Sequence, residues 1–245
     1  MSVRTTLATT ARVLRQLRAD RRTVALLMIV PAVLMILLRY VFDGSPAVFN
    51  RIGLPLLGLF PFVTMFLVTS VAMLRERTSG TLERLLTTPM HKLDLLIGYA
   101  IAFALTALLQ VSVASVVAFT WLDLNAPGGI PLVFLLAVAN AVLGMSIGLL
   151  VSAFAATEFQ AVQFLPAVIL PQFLLCGLLT PRDSMNAVLH AVSNVLPLSY
   201  AVDGMSQLQL DSSLAGDLGR DLAVIAGCAV VALALGAATL RRRTP

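Results

Sequence analysis

The sequence predicts an all-α membrane protein with six transmembrane helices, and two observations carry that prediction. Hydrophobic residues make up 59% of the 245-residue chain and charged residues only 12%, about half the charge of a usual soluble domain. The apolar residues also gather into six runs, at about 24–42, 54–74, 95–122, 131–153, 159–179 and 219–240. Each is near the roughly 20 residues needed to cross about 30 Å of hydrocarbon. None carries an acid or base through its middle, where a charge costs on the order of 2.5–3.5 kcal/mol.

The net charge of +5 reads as orientation rather than affinity for nucleic acid. With the N-terminus in the cytoplasm, segments 1–22, 75–92 and 241–243 are inside and hold 13 of the 17 basic residues. Only Arg39, Arg51, Arg182 and Arg220 remain outside, among Asp43, Asp123, Asp183, Asp203, Asp211 and Asp217. This is the positive-inside asymmetry, and six spans return the C-terminus to the cytoplasm. Near-exclusive use of Arg, with Lys92 the single lysine, and abundant Ala suit a GC-rich bacterial genome.

Residues 3–18 come first. On a helical wheel Val3, Leu7, Val13, Leu14 and Leu17 share one arc and Arg4, Arg12, Arg15 and Arg18 the opposite one, as in a helix lying in the membrane interface against lipid headgroups. A signal peptide is the rival reading, but no small-x-small cleavage site follows the first apolar run. Pro31 is expected to kink the first span, and Arg39 to snorkel from its outer end. Pro55 and Pro61 lie in the second, where neighbouring helices can re-satisfy the backbone.

Residues 75–94 form the charged island between the second and third runs. Leu82, Leu85 and Leu86 fall at i, i+3 and i+4, with Glu83 and Arg84 beside them. That spacing predicts a short amphipathic helix, started at Thr78, Ser79 and Gly80 and ended at Thr88-Pro89. It is a docking handle on a loop between spans, or an ordinary solvated loop.

Trp121 sits where an interfacial anchor belongs, and residues 125–129 (NAPGG) read as a tight turn. In the fourth span Gly144 to Gly148 (GMSIG) reads both as GxxxG and as the nucleophile motif GxSxG. A nucleophilic Ser146 needs a strand-to-helix elbow and a nearby base, whereas the string lies mid-helix and His91 and His190 fall on opposite sides of the membrane. Helix packing is the better reading. In the fifth run Pro166 and Pro171 predict a distorted or broken helix, with its glutamines facing protein or a cavity. Residues 180–217 are the longest outer segment, spaced for one or two short amphipathic helices before Pro197. Cys176 and Cys228 are lone packing residues. The sequence holds no metal constellation, no Walker-type GxxxxGK[ST] run and no catalytic residue set.

The run from Arg75 to Pro89 (RERTSGTLERLLTTP), continuing from His91 to Gly98 (HKLDLLIG), resembles the signature of ABC-2 type transporter permeases, particularly daunorubicin-resistance-like drug exporters. Phe173 to Pro181 (FLLCGLLTP) and Leu196 to Ala201 (LPLSYA) resemble the same family's exit from the fifth span and its extracellular helical hairpin. The resemblance covers nearly the whole chain and departs at Leu196, where many relatives carry asparagine.

The resemblance implies a single transmembrane domain over 1–245, with 1–22 as an interfacial connecting helix and 75–94 as the cytoplasmic coupling region. The implied protein is the permease subunit of an ATP-driven exporter of a drug-like or lipophilic compound, in a bacterial cell membrane with both termini cytoplasmic. Its partners would be a separate ABC ATP-binding subunit, which holds ATP and Mg, a second permease subunit, membrane lipid and the small lipophilic substrate. This chain would carry no cofactor. ATPase coupling falls to Glu76, Arg77, Gly80, Thr81, Leu82, Glu83, Arg84, Leu85 and Glu158, and the substrate pathway to Gln110, Asn140, Gln163 and Gln172. Export of lipid or polysaccharide is the alternative cargo reading, disfavoured by the shortness of residues 1–22. An ion-driven secondary transporter is the other class, and it would need Glu158 as its essential carboxylate.

Overall fold

The computed structural model of the chain describes residues 3–80, 92–210 and 215–239. Among them are nine α-helices and no strand: α1 (Val3–Ala19), α2 (Arg21–Val41), α3 (Pro46–Thr78), α4 (Lys92–Val116), α5 (Ile130–Val151), α6 (Glu158–Leu175), α7 (Ala187–Ser193), α8 (Pro197–Leu210) and α9 (Ala215–Ala238). A π-helical turn, Val117–Trp121, extends α4, and a 3₁₀ turn, Arg182–Ser184, precedes α7. Six helices are long and apolar enough to cross a membrane: α2, α3, α4 with its π turn, α5, α6 and α9. This is the expected number of spans.

Local chemistry explains the breaks. Asp20 separates α1 from α2 and caps α2, its carboxylate accepting from the Thr23 amide (3.1 Å) and hydroxyl (2.6 Å), and these bonds hold its pKa below the usual carboxylate value. Thr157 caps α6 by accepting from Gln160 N–H (3.2 Å), while Gln160 Oε1 accepts from Ala156 N–H (2.8 Å), a reciprocal arrangement close to a capping box. Residues 125–129 make the expected turn. There Gly128 donates its N–H to the Leu208 carbonyl (2.7 Å), an approach that leaves no room for a Cβ.

The core is one cluster centred on the α3–α5 pair. Gly144 and Gly148 face α3 so closely that an added Cβ would strike the Phe62 and Phe66 carbonyls. Asn140 donates to the Gly58 carbonyl (3.0 Å) and Thr69 to the Met145 carbonyl (3.2 Å) across the same seam. Ser146 is fully buried and donates to Val142 O within its own helix (2.7 Å). The GMSIG string is therefore a packing face.

Four segments differ in detail from expectation. Thr78, Ser79 and Gly80 form the end of α3, and the short amphipathic helix expected to run from them to Thr88 lies outside the described residues. Ser79 is its C-cap, and Gly80 follows at φ +70°, a left-handed conformation suited to glycine just past a helix end. The helix of the second span thus runs beyond its apolar stretch and carries Arg75, Glu76 and Arg77 in its last turn. Second, α6 continues through Pro166 and Pro171 without the anticipated break. Each proline deletes one backbone donor, and unwinding would free more groups than that. Third, besides the expected short helix before Pro197, which is α7, the 180–217 segment holds a longer one that begins at Pro197. This α8 is buried against α3, α5 and α9 through Leu198, Ala201, Val202, Met205 and Leu208. Fourth, α1 packs on α4 through Thr6, Thr9, Thr10 and Val13, while Val3 and Leu7 stay exposed. Gly98 permits this contact, because a Cβ there would meet the Thr9 side chain, and Thr10 donates to the Gly98 carbonyl (3.1 Å).

Candidate functional site

The end of the bundle where α1 lies gathers the charged groups that α3 carries past its apolar stretch. Successive residues on a helix point about 100° apart, so Arg75, Glu76 and Arg77 fan out in three directions. Arg75 makes a two-pronged pair with Glu158 at the start of α6, with Nε–Oε1 2.7 Å and Nη2–Oε2 3.0 Å. Glu76 turns to α1, accepting from Gln16 Nε2 (3.1 Å) with Arg12 Nη1 3.6 Å from its other oxygen. Arg77 donates to the Thr239 hydroxyl just past α9 (3.3 Å). Arg12 in turn donates to the Tyr99 hydroxyl of α4 and lies 5.6 Å from that ring's centre. One turn of α3 is thereby tied to α1, α4, α6 and the end of α9.

Burial separates these contacts in strength. Glu76 and Tyr99 are buried, so their bonds replace water. The Arg75–Glu158 side chains are about half exposed, at 57% and 53%, and such a pair contributes only about 0–1 kcal/mol. Glu158 sits at a helix end with an arginine partner, an unsuitable place for the mid-membrane carboxylate that an ion-driven carrier would need.

Between α2, α3, α4 and α6 at this end lies a cavity of about 710 Å³. Leu26, Val30, Leu67, Val68, Val71 and Phe103 supply apolar wall, and Asp20, Arg75, Glu76 and Glu158 also line it.

Of the residues assigned to coupling, Glu76, Arg77 and Glu158 lie at this end, with Gly80 just beyond α3. Thr81, Leu82, Glu83, Arg84 and Leu85 lie outside the described residues. The four pathway residues do not share one surface. Gln110 donates to Thr64 and Asn140 to Gly58, both buried inside the bundle. Gln172 donates to Val168 O of its own helix (3.1 Å), and Gln163 is exposed on α6.

Sequence reasoning missed two features. The first is Arg12, placed with the headgroup-facing arginines but drawn inward by Glu76 and Tyr99. The second lies at the opposite end, where Arg182 ties together the exit of α6, α7 and α8. It bonds Asp203, Ser193 (3.0 Å) and Asn194, and stands 5.6 Å from the Tyr200 ring centre. Burial pushes the Asp203 carboxyl above its usual pKa even with Arg182 beside it. A lone arginine in an apolar segment after Thr180-Pro181 was the available signal.

A family model for the ABC-2 type transporter matches residues 4–210. The chain is 30% identical over 152 residues to "ABC transporter G family member 20" of Dictyostelium discoideum, covering 62% of this chain and 21% of that one. It is 26% identical over 160 residues to "Probable multidrug ABC transporter permease YbhR" of Escherichia coli K12, covering 65% and 44%. The corresponding figures for "Probable multidrug ABC transporter permease YbhS" of the same organism are 29% over 149 residues, covering 60% and 40%. The matched regions thus span less than half the length of each of these relatives. A six-span helical bundle whose sequence matches the family over residues 4–210 belongs to the ABC-2 type transporters.

Proposed function

We propose that this chain is the permease subunit of an ATP-driven exporter of a drug-like or lipophilic compound, coupled to a separate ABC ATP-binding subunit at the α1 end. The observation that carries the reading is the fan of Arg75, Glu76 and Arg77. These three residues immediately precede the 81–91 segment and reach α6, α1 and the end of α9. A displacement of that segment by a partner would be felt by three other helices at once, the mechanical requirement of a coupling joint. Family membership supplies the nature of the partner, and the bacterial relatives carry multidrug permease names. On this reading the α1 end faces the cytoplasm, Leu82 and Leu85 anchor the ATPase, and Glu83 and Arg84 make its polar contacts. A second permease subunit would cover the exposed apolar flank of α2 and α6, where Ile29, Leu37, Leu170 and Leu174 are exposed.

Gentle purification from native membranes followed by mass spectrometry tests the assignment. A stoichiometric ATP-binding subunit is expected, and Leu85→Asp or Glu83→Arg should remove it while the permease stays folded in the membrane. Repeated recovery of this chain alone in mild detergent would overturn the reading.

A further inference from the structure

We propose that the cavity at the end opposite α1 is a binding site for a phosphodiester that bears a primary ammonium, the chemistry of a phosphatidylethanolamine headgroup. The cavity measures about 810 Å³, within the range that holds small ligands, and lies between α3, α7, α8, α9 and the exit of α6. Its lining carries both signs of charge: Arg51, Arg182 and Arg220 with Asp183, Asp203 and Asp221. Part of that charge is already engaged. Arg182 bonds Asp203, and Asp221 is buried on α9 with a contact of its own. Arg51, Arg220 and Asp183 enter no ion pair among the described residues.

Arg51 stands in the opening turns of α3 and Arg220 in those of α9, so both lie where a span begins, near the level of lipid headgroups. A planar guanidinium binds phosphate oxygens in pairs, and two of them from different helices suit one phosphodiester. Two acceptors on the same cavity set the other half of the ligand. Gln207 Oε1 is buried and accepts no hydrogen bond among the described residues, a state that favours an added donor. Asp183, exposed on the 3₁₀ turn, supplies a carboxylate. A primary ammonium offers these groups three N–H donors and a positive charge, whereas a quaternary ammonium offers the charge alone. A simple anion would face Asp183, and a simple cation would face two arginines. The zwitterion meets both halves of the lining. Ile52, Pro55 and Leu178 add apolar wall beside the polar groups, as the glycerol end of a lipid requires.

Native mass spectrometry tests the site on the full chain released from nanodiscs of equal phosphatidylethanolamine, phosphatidylcholine and phosphatidylglycerol with the same acyl chains. One phosphatidylethanolamine per chain should stay bound, preferred at least about tenfold over the other two, the scale of one hydrogen bond to a charged group. Arg51→Gln and Arg220→Gln should each lower the retention of all three lipids. Asp183→Asn and Gln207→Leu should instead reduce the preference over phosphatidylcholine. Asp183 is exposed and makes no ion pair, so its variant decides the matter if the Gln207 variant fails to fold. Glycerophosphoethanolamine, the same head without acyl chains, identifies the source. Calorimetric binding as tight as the lipid's would assign the site to a soluble phosphodiester of this chemistry and overturn the lipid source. Equal retention of phosphatidylethanolamine and phosphatidylcholine, or an unchanged preference in a folded Asp183→Asn protein, would overturn the proposal outright. The measurement needs neither an ATP-binding subunit nor transport, so it can fail while the co-purification result stands, and the reverse.

Discussion

The α3–α5 seam and the α1-end cluster both join α3 to other helices, by opposite means. At the seam the contact depends on absent atoms: Gly144 and Gly148 bring α5 against the carbonyls of Phe62 and Phe66. At the α1 end it depends on long side chains, with Arg75, Glu76 and Arg77 reaching across space to different helices. A seam closed by backbone has one arrangement. Side chains with several rotatable bonds can keep their partners while helices shift. On the proposed reading, the difference suits a subunit that keeps its core while one end responds to a partner.

Substitutions should rank accordingly. Gly148→Val forces a branched side chain into backbone and should cost about 3 kcal/mol or more, read as a lower unfolding temperature from Trp121 fluorescence, the only tryptophan in the chain. Arg182→Ala, at the far end, leaves Asp203 partly buried without its counter-charge. The full penalty for such a loss is about 3–5 kcal/mol, and the pair's remaining exposure reduces it to about 2 kcal/mol. Asn140→Leu removes one hydrogen bond across the seam while adding apolar contact and should cost about 1 kcal/mol.

Arg75→Ala should change thermal stability by less than about 0.5 kcal/mol, because its pair is half in solvent, yet reduce transport of a fluorescent cargo in vesicles. If Arg75→Ala proved as destabilising as Gly148→Val, the contrast between fixed seam and adjustable end would collapse. The smallest effect concerns pH. Asp20 has a folded pKa below its unfolded one, so its contribution is present above the unfolded value and fades as pH falls through the folded one. Asp20→Asn should flatten that acid limb in a denaturation series.

The two regions also differ in how visible they were beforehand. GxxxG in an apolar run announces close helix packing whatever the surroundings, and Gly144 and Gly148 do pack that way. The RER triplet announced only charge. Its three partners, Glu158, Gln16 and Thr239, lie 83, 60 and 162 residues away in sequence, and no local pattern pairs residues at such distances. Glu158 and Glu76 had been named from the sequence without their partners. The resemblance places Gln110 and Asn140 in the substrate pathway, and only the packed bundle shows that they bond to Thr64 and to the Gly58 carbonyl.

By itself the sequence determined the all-helical class, the six spans and the resemblance to a family, because each follows from the kind and order of residues along the chain. An apolar run of sufficient length must hydrogen-bond its own backbone in lipid and so becomes a helix wherever it ends up. The tertiary structure alone decided that Thr78 closes α3, that α8 is buried, that α1 meets α4 through threonines, and that Arg12 and Arg182 turn inward. Those outcomes depend on which surfaces approach one another, and a charged side chain takes its partner only after packing has placed one within reach.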